Sequence, residues 1–319
     1  MINILDCKKS NYLSRLKLIL DKRRSGNKFN LDTAAKIVKD VKKNKQKALL
    51  KYEKKFSKNN KIKVSKNDFL NSIKKLDPKV KNAIDFAYNR ILKFHKNQKV
   101  KNFKFKDNLN NLFEYKFLPI ESVGIYVPAN LPSTLLMNAI PARLANVKRI
   151  VLANPKQNGK LNSAVLYAAK KLNIKEIYSM GGAQAIASLA YIQKVNKIIG
   201  PGNDYVTRAK KEVFGHVGIE GMTAGPSEIT IVADKNTNLN EVVTSIIGQA
   251  EHDINSQCIL ITNNQSLIQS LKKILNNKLN KIPRKKIAKK SLLINGLIIK
   301  VYNDKQIIDS INEIAPEHL

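Results

Sequence analysis

The sequence predicts an α/β protein in which parallel, doubly wound sheets follow an N-terminal helical segment, and three observations carry that expectation. From Asn11 to about Asn97 the apolar residues recur at helical spacing. From Val123 onward short apolar strands alternate with helices, the pattern of βαβ units. The connections gather Gly, Pro, Ser and Asn, as expected where open α/β sheets bind ligands, at the strand C-terminal ends.

In the first segment the helical stripes are Leu13, Leu16, Leu18, Ile19 and Leu20, then Ala34, Ala35, Ile37, Val38 and Val41, then Ala48, Leu49, Leu50 and Tyr52. Breaks are expected at Arg24-Ser25-Gly26-Asn27 and Ser57-Lys58-Asn59-Asn60. Asp77-Pro78 starts a further helix through Ile84 and Leu92, Pro suiting a first helical position. His95, near its end, reads as a surface residue favoured by the helix dipole. Phe103 to Ile120 reads as a hairpin turning at Asn108 to Asn111. None of this shows chemistry.

The strand–helix units then run in order: strand Val123–Val127, loop 128–133, helix Leu136–Ala145, strand Arg149–Ala153, helix Ser163–Leu172, strand Glu176–Met180, and the turn Gly181-Gly182-Ala183-Gln184 opening a helix to Tyr191. Tyr126, Ser133, Gln184 and the turn Gly200-Pro201-Gly202-Asn203 fall on the expected ligand rim. There is no G-x-G-x-x-G dinucleotide fingerprint. Gly181-Gly182 can hold a phosphate on free helix amides or simply permit a tight turn. Ser227-Glu228, before the strand Ile229–Ala233, reads as polar ligand recognition or as ordinary turn chemistry.

Asn238 and Glu241 mark the next helix start, and Val242, Val243, Ile246, Ile247 and Ala250 give it a buried face. Gln249 and His252, continued on that helix, sit about 60° apart around the axis and reach one point, as metal ligands would. The same pair also reads as a helix end with a hydrogen-bonded imidazole. Strand Gln257–Thr262, helix Ser266–Asn276, a strand or strand pair in Leu292–Val301 and helix Lys305–Ile314 complete the pattern. After Pro316, Glu317 and His318 form a carboxylate–imidazole pair suited to proton exchange, or else a frayed tail.

With 319 residues and 43% hydrophobic content the chain is long enough for about two globular domains. No apolar run approaches the roughly 18 residues that span a bilayer, so neither membrane association nor a secretory leader is expected, and the expected location is the cytoplasm. Cys7 and Cys258 make no disulfide framework and no sulfur metal site. The formal charge of +34 comes overwhelmingly from dispersed Lys without interleaved Arg and aromatics, so no nucleic-acid partner is expected.

Taken together, Gly124-Ile-Tyr-Val-Pro128, Leu131-Pro-Ser-Thr134, Gly181-Gly-Ala-Gln-Ala-Ile-Ala187, Gly200-Pro-Gly-Asn203, Ala224-Gly-Pro-Ser-Glu228, Gln249-Ala-Glu-His252 and Ala315-Pro-Glu-His-Leu319 resemble the histidinol dehydrogenase family, in this order and across essentially the whole chain. The resemblance implies two doubly wound, incomplete Rossmann-like domains: a zinc/substrate-side domain of residues 1–121 plus 235–319, and an NAD-side domain of residues 122–234. It implies zinc and NAD as cofactors, L-histidinol as substrate, oxidation in two steps through bound histidinal to L-histidine, and a homodimer. Tyr126, Gln184 and Asn203 match the family's NAD contacts. Ser227 matches a substrate contact, and Gln249 and His252 match two zinc ligands that also approach the substrate. Glu317 and His318 match the acid–base pair, His318 also meeting the substrate.

The family has more residues between Tyr-Val-Pro and Pro-Ser than Ala129-Asn130-Leu131, and a longer loop at Tyr191–Val195. It also continues past the position of Leu319 with an Asp ligand, a His ligand and a Glu substrate contact. A fragment or a decayed product is therefore expected. The alternatives carried forward are a related zinc- and NAD-dependent dehydrogenase of another small polar alcohol, and an inactive truncated member.

Overall fold

The computed structural model describes residues 2–25, 31–128, 130–157, 159–220 and 227–319. Parts of three expected features lie outside these: Gly26-Asn27 of the first break, Ala129 of the first ligand loop, and Ala224-Gly225-Pro226 before Ser227.

In chain order the elements are β1 (Asn3–Asp6), α1 (Tyr12–Ser25), α2 (Leu31–Ser57), α3 (Lys66–Lys74), α4 (Pro78–Lys96), β2 (Phe103–Lys106), β3 (Leu112–Tyr115), β4 (Ser122–Tyr126), α5 (Pro132–Leu144), β5 (Arg149–Ala153), α6 (Ser163–Lys171), β6 (Glu176–Tyr178), α7 (Gly182–Tyr191), β7 (Lys197–Ile199), α8 (Asp204–Val213) and β8 (Gly218–Ile219). The chain continues with β9 (Glu228–Ala233), α9 (Leu239–Ala250), β10 (Gln257–Thr262), α10 (Gln265–Leu279), α11 (Lys285–Asn295), β11 (Gly296–Lys300) and α12 (Asp304–Ile314). They fall into two compact units, Phe29–Ala224 and Met1–Lys28 with Gly225–Leu319.

In the 29–224 unit the five-stranded sheet has the order β6-β5-β4-β7-β8, every pairing parallel. Sequence runs outward from β4 through β5 to β6, then returns to β7 on the other side of β4. The topological switch point, where open α/β sheets hold ligands, therefore lies between β4 and β7. Alternation along the strands sends Val123, Ile125, Ile150 and Leu152 to one core, shared with α5 and α6, and Tyr126, Val151 and Ala153 to the other, shared with α2, α7 and α8. Both faces are covered, as the near-continuous apolar strands require.

In the other unit the parallel order is β1-β11-β10-β9. Cys258, Leu260 and Ile298 pack toward α9, α10 and α11, while Ile259, Ile261, Leu297 and Ile299 pack toward α1 and α12. This sheet is half of a doubly wound one, extended at its far edge by β1. The α/β class and the incomplete, Rossmann-like winding of both sheets are thus as expected from sequence.

Several boundaries differ. The expected division at 121/122 and 234/235 is replaced by one near 28 and 225. The stripe Ala34, Ile37, Val38, Val41 and Leu49 of α2 buries itself against α7 and α8, which carries the N-terminal helices into the 29–224 unit. Conversely β1 pairs with β11, and β9 with β10, which assigns both to the second unit. The stripes that begin at Ala34 and Ala48 lie on one element, α2, with an unexpected break at Lys45, where φ is 46° and ψ −126°. Leu292 lies in α11 rather than a strand, because Ala288, Ser291, Leu292 and Asn295 share a buried helical face. Short β1, β7 and β8 carry too little pattern of their own to be expected, whereas α8 carries a helical stripe in Val206, Ala209 and Val213 that the sequence reading passed over.

Candidate functional site

The switch point of the 29–224 unit is built by backbone proximity. Gly200, just after β7, holds φ at +110°, and a Cβ there would sit 2.0 Å from the Tyr126 carbonyl oxygen at the end of β4. Only glycine fits this approach. Buried Lys210 on α8 donates from Nζ to the carbonyls of Gly200 (2.5 Å) and Glu220 (3.1 Å), tying this turn to the chain after β8. Burial lowers the Lys210 pKa. Asn203 caps α8, its Oδ1 accepting from the Val206 amide at 3.2 Å, while the residue itself stays exposed.

Tyr126 is buried, and its hydroxyl accepts from the Gly182 amide at 3.3 Å. Burial raises its pKa, the nearby Glu53 carboxylate adding to the rise and the amide opposing it. Glu53, on α2 and fully buried, accepts at Oε1 from the Gly181 amide and from Gln184 Nε2, both at 2.9 Å. A carboxylate partner fixes which end of the Gln184 amide is nitrogen, so Oε1 is the end turned away from Glu53. The Gly181–Gly182 amides are therefore not a free phosphate cradle: Glu53 and Tyr126 occupy both. Tyr126, Gln184 and Asn203 lie at the C-terminal ends of β4, β6 and β7, the rim on which they were expected.

In the other unit the candidates collect at the opposite, N-terminal edge of the strands. Ser227 precedes β9, and its carbonyl accepts from the Gln257 amide at the start of β10 (3.1 Å). Helix α9 ends at Ala250 and Glu251 caps it, so His252 lies just past the helix rather than on it; its amide still donates to the Gln249 carbonyl at 3.2 Å. Gln249 is half-buried, and its amide has one buried end, Nε2, with no partner among the described residues. Because amide oxygen and nitrogen are interchangeable by a flip, that end is an orphan polar group able to present oxygen. The His252 ring is exposed. Among the described residues no cluster of three His, Cys, Asp or Glu is poised to hold a metal.

Glu317 and His318 are not a frayed tail. They follow α12 through Ala315, whose φ of 48° turns the chain, and lie along the free edge of β9. The Thr230 amide donates to the His318 carbonyl (2.9 Å), the Glu317 amide donates to Glu228 Oε1 (3.1 Å), and His318 Nδ1 meets the Glu228 carbonyl oxygen at 2.9 Å. A carbonyl only accepts, so in the neutral ring Nδ1 carries the hydrogen and Nε2 keeps its lone pair. Glu228 Oε2 in turn accepts from Gln257 Nε2 at 2.9 Å, and Gln257 Oε1 accepts from Arg23 at 2.9 Å. The imidazole is thus held in one orientation, Nε2 outward of that contact, by a residue that is itself supported.

The sequence profile of histidinol dehydrogenase matches residues 21–319. The chain belongs to the histidinol dehydrogenase family. Histidinol dehydrogenase of Pelagibacter ubique is 56% identical over 326 aligned residues, covering 100% of this chain and 76% of that protein. The enzyme of Listeria monocytogenes is 40% identical, covering 92% of the chain and 71% of the relative. The crystal structure of histidinol dehydrogenase from Elizabethkingia anophelis superposes with a TM-score of 0.90 at 35% identity, over 100% of this chain and 75% of that one. Histidinol dehydrogenases are oxidoreductases, and the chain takes that class with its family. No helix among the described residues is long and apolar enough to cross a membrane.

Two residues that position these candidate groups escaped sequence reasoning, Glu53 and Lys210, and the part played by a third, Glu228, was not foreseen. For the first two there was a signal, a charged residue on a buried helical stripe, Glu53 four after Leu49 and Lys210 four after Val206. Glu228 was read with Ser227 as polar ligand recognition or turn chemistry, and its contact with His318 left no local mark.

Proposed function

We propose that this chain carries out the NAD-dependent oxidation of L-histidinol to L-histidine through bound histidinal, as a cytoplasmic enzyme of histidine biosynthesis that acts as a homodimer. The observation that carries the reading is the His318–Glu228 contact, which leaves Nε2 of His318 as the one ring nitrogen able to take a proton.

When bound, NAD supplies the hydride acceptor, and zinc orients the alcohol and makes its proton easier to remove. Gln249 and His252 would hold the zinc. The orphan buried end of the Gln249 amide and the exposed His252 imidazole are an oxygen and a nitrogen donor of the kind zinc would take. Gln184 through Oε1, Asn203 through Nδ2 and the Tyr126 side chain would meet NAD, and Ser227 the substrate. His318 takes the alcohol proton at Nε2 as hydride leaves carbon. Glu317 then draws a proton from water, so that the aldehyde becomes a hydrate with a second hydride to give.

The thiols support water as the nucleophile in that second oxidation. Burial, with Asp6 adding, pushes Cys7 up to about 11, and burial pushes Cys258 up to about 12. Neither is a thiolate at neutral pH, so neither is poised to capture an aldehyde.

The test is to supply the protein with zinc, NAD and L-histidinol and follow NADH together with L-histidine. The expected result is two NADH for each L-histidine formed. Turnover of another small alcohol with none of histidinol would replace this reading by the related dehydrogenase.

A further inference from the structure

Helix α1 supports the segment after α12 in two places. Leu16 and Leu20 share a buried core with Ile314 at the end of α12, and the Tyr12 hydroxyl donates to Asp309 Oδ2 at 3.1 Å. Near the C-terminal end of α1, half-buried Arg23 donates from Nη1 to Gln257 Oε1 at 2.9 Å. Burial works against that charge and pushes the Arg23 pKa down to about 10. A guanidinium is thus kept partly out of water to face a neutral amide, which costs free energy unless the bond is well made.

The Gln257 amide has one accepting end and one donating end, and each meets a group that can do only the opposite. Arg23 has donors and no acceptor, so it takes Oε1. The Glu228 carboxylate only accepts, so its Oε2 takes Gln257 Nε2, at 2.9 Å. Both bonds are charge-assisted, and they polarise the amide in the same sense. From Glu228 the line divides: Oε1 accepts from the Glu317 amide at 3.1 Å, and the carbonyl oxygen meets His318 Nδ1 at 2.9 Å. The Gln257 backbone amide separately holds the Ser227 carbonyl, a bond its side chain does not enter.

We propose that Arg23 is a positioning residue for the Glu317–His318 pair, acting through the Gln257 amide and the Glu228 carboxylate. Its part is to fix which way the Gln257 amide faces. Without the guanidinium donors that amide can turn either end to Glu228, and with oxygen turned that way two acceptors oppose each other. The carboxylate then shifts, and the Glu317 amide on its other oxygen shifts with it. Displacing a reacting group by about 1 Å can cost on the order of 100-fold in rate. This assignment rests on the acid–base roles proposed above for Glu317 and His318, and it adds the group that holds them.

Four variants test it in the protein supplied with zinc, NAD and L-histidinol. Arg23→Met keeps the stem and removes the donors, while Arg23→Lys keeps a donor. Gln257→Glu still offers Arg23 an acceptor but turns a second acceptor on Glu228. Gln257→Glu combined with Glu228→Gln again gives every acceptor along the line a donor. In Arg23→Met and Gln257→Glu, kcat is expected to fall about 10–100-fold with KM, bound zinc and NADH affinity little changed. Arg23→Lys and the double exchange are expected to recover most of the loss. Hydrogen exchange at the Glu317 and Thr230 amides, which bond Glu228 and the His318 carbonyl, is expected to quicken and recover in the same order, and it needs no activity. Rates and exchange indifferent to Arg23→Met overturn the positioning role and leave histidinol oxidation standing. Parallel losses of rate, zinc and NADH affinity that the double exchange does not repair also overturn it, since they mark a contribution to the fold alone. Wild-type protein inert toward histidinol, with amide exchange still following the series, overturns the proposed reaction and leaves the positioning standing.

Discussion

Glu53 and Gln184 lie on different helices, and one carboxylate oxygen of Glu53 binds both the Gln184 side-chain amide and the Gly181 backbone amide at 2.9 Å. The other oxygen, Oε2, is buried with no partner among the described residues. A buried carboxylate at a helix start satisfies amides that would otherwise be orphaned, and the start of α7 is held to α2 by it.

Glu53→Ala is therefore expected to lower stability by about 3 kcal/mol, because two buried donors lose their acceptor at about 1–3 kcal/mol each. NAD binding should weaken alongside, while Glu53→Gln, which keeps an acceptor oxygen, should recover most of both. Urea unfolding and a fluorescence titration with NADH measure the two effects. An alanine variant as stable as wild type would show that the contact does not hold the turn.

Gly200→Ala should be among the most damaging single changes in the 29–224 unit. It combines a positive φ with a Cβ 2.0 Å from the Tyr126 oxygen, and strain plus overpacking cost at least about 3 kcal/mol. Gly215→Ala is the control: φ is +86° there, but nothing lies within 4 Å of the added atom, so about 1 kcal/mol is expected. Equal melting temperatures for the two variants would contradict the close approach.

His318 and His252 should separate by readout. His318→Ala is expected to keep zinc and NAD while slowing single-turnover NADH formation about 10²–10⁴-fold, the usual worth of a general base. His252→Ala should lose most bound zinc with NAD affinity nearly intact, since Tyr126, Gln184 and Asn203 belong to the other unit. Metal analysis and stopped-flow fluorescence distinguish them, and full zinc retention in His252→Ala would remove that residue from the ligand set.

Neither cysteine should react with an Ellman-type reagent at pH 8 in the native state. The thiols are held near 11 and near 12 by burial, and Cys258 donates from Sγ to the Ile246 carbonyl at 3.5 Å. Both should titrate on unfolding. One fast-reacting equivalent in native protein would mean a thiolate is within reach of an aldehyde after all.

The α/β class, the order of strands and helices from Val123 to Ala153, and the rim positions of Tyr126, Gln184 and Asn203 could be read from sequence, because period-two and helical patterns are local and turn residues mark their ends. The seven motifs likewise carried the family. Tertiary structure alone decided which unit each piece joined. β1 is four residues long and acquires meaning only by pairing with β11, and α2 leaves its sequence neighbours for α7 and α8 because its apolar stripe finds its partner there. It also decided what the local motifs do. The Gly181–Gly182 amides look free in sequence, but Glu53, more than a hundred residues away, fills one of them. The tail at His318 looks loose, but the edge of β9 supplies the carbonyl that sets its tautomer. Hydrogen-bond partners brought together from distant parts of the chain leave no periodicity behind, so only the folded chain reveals them.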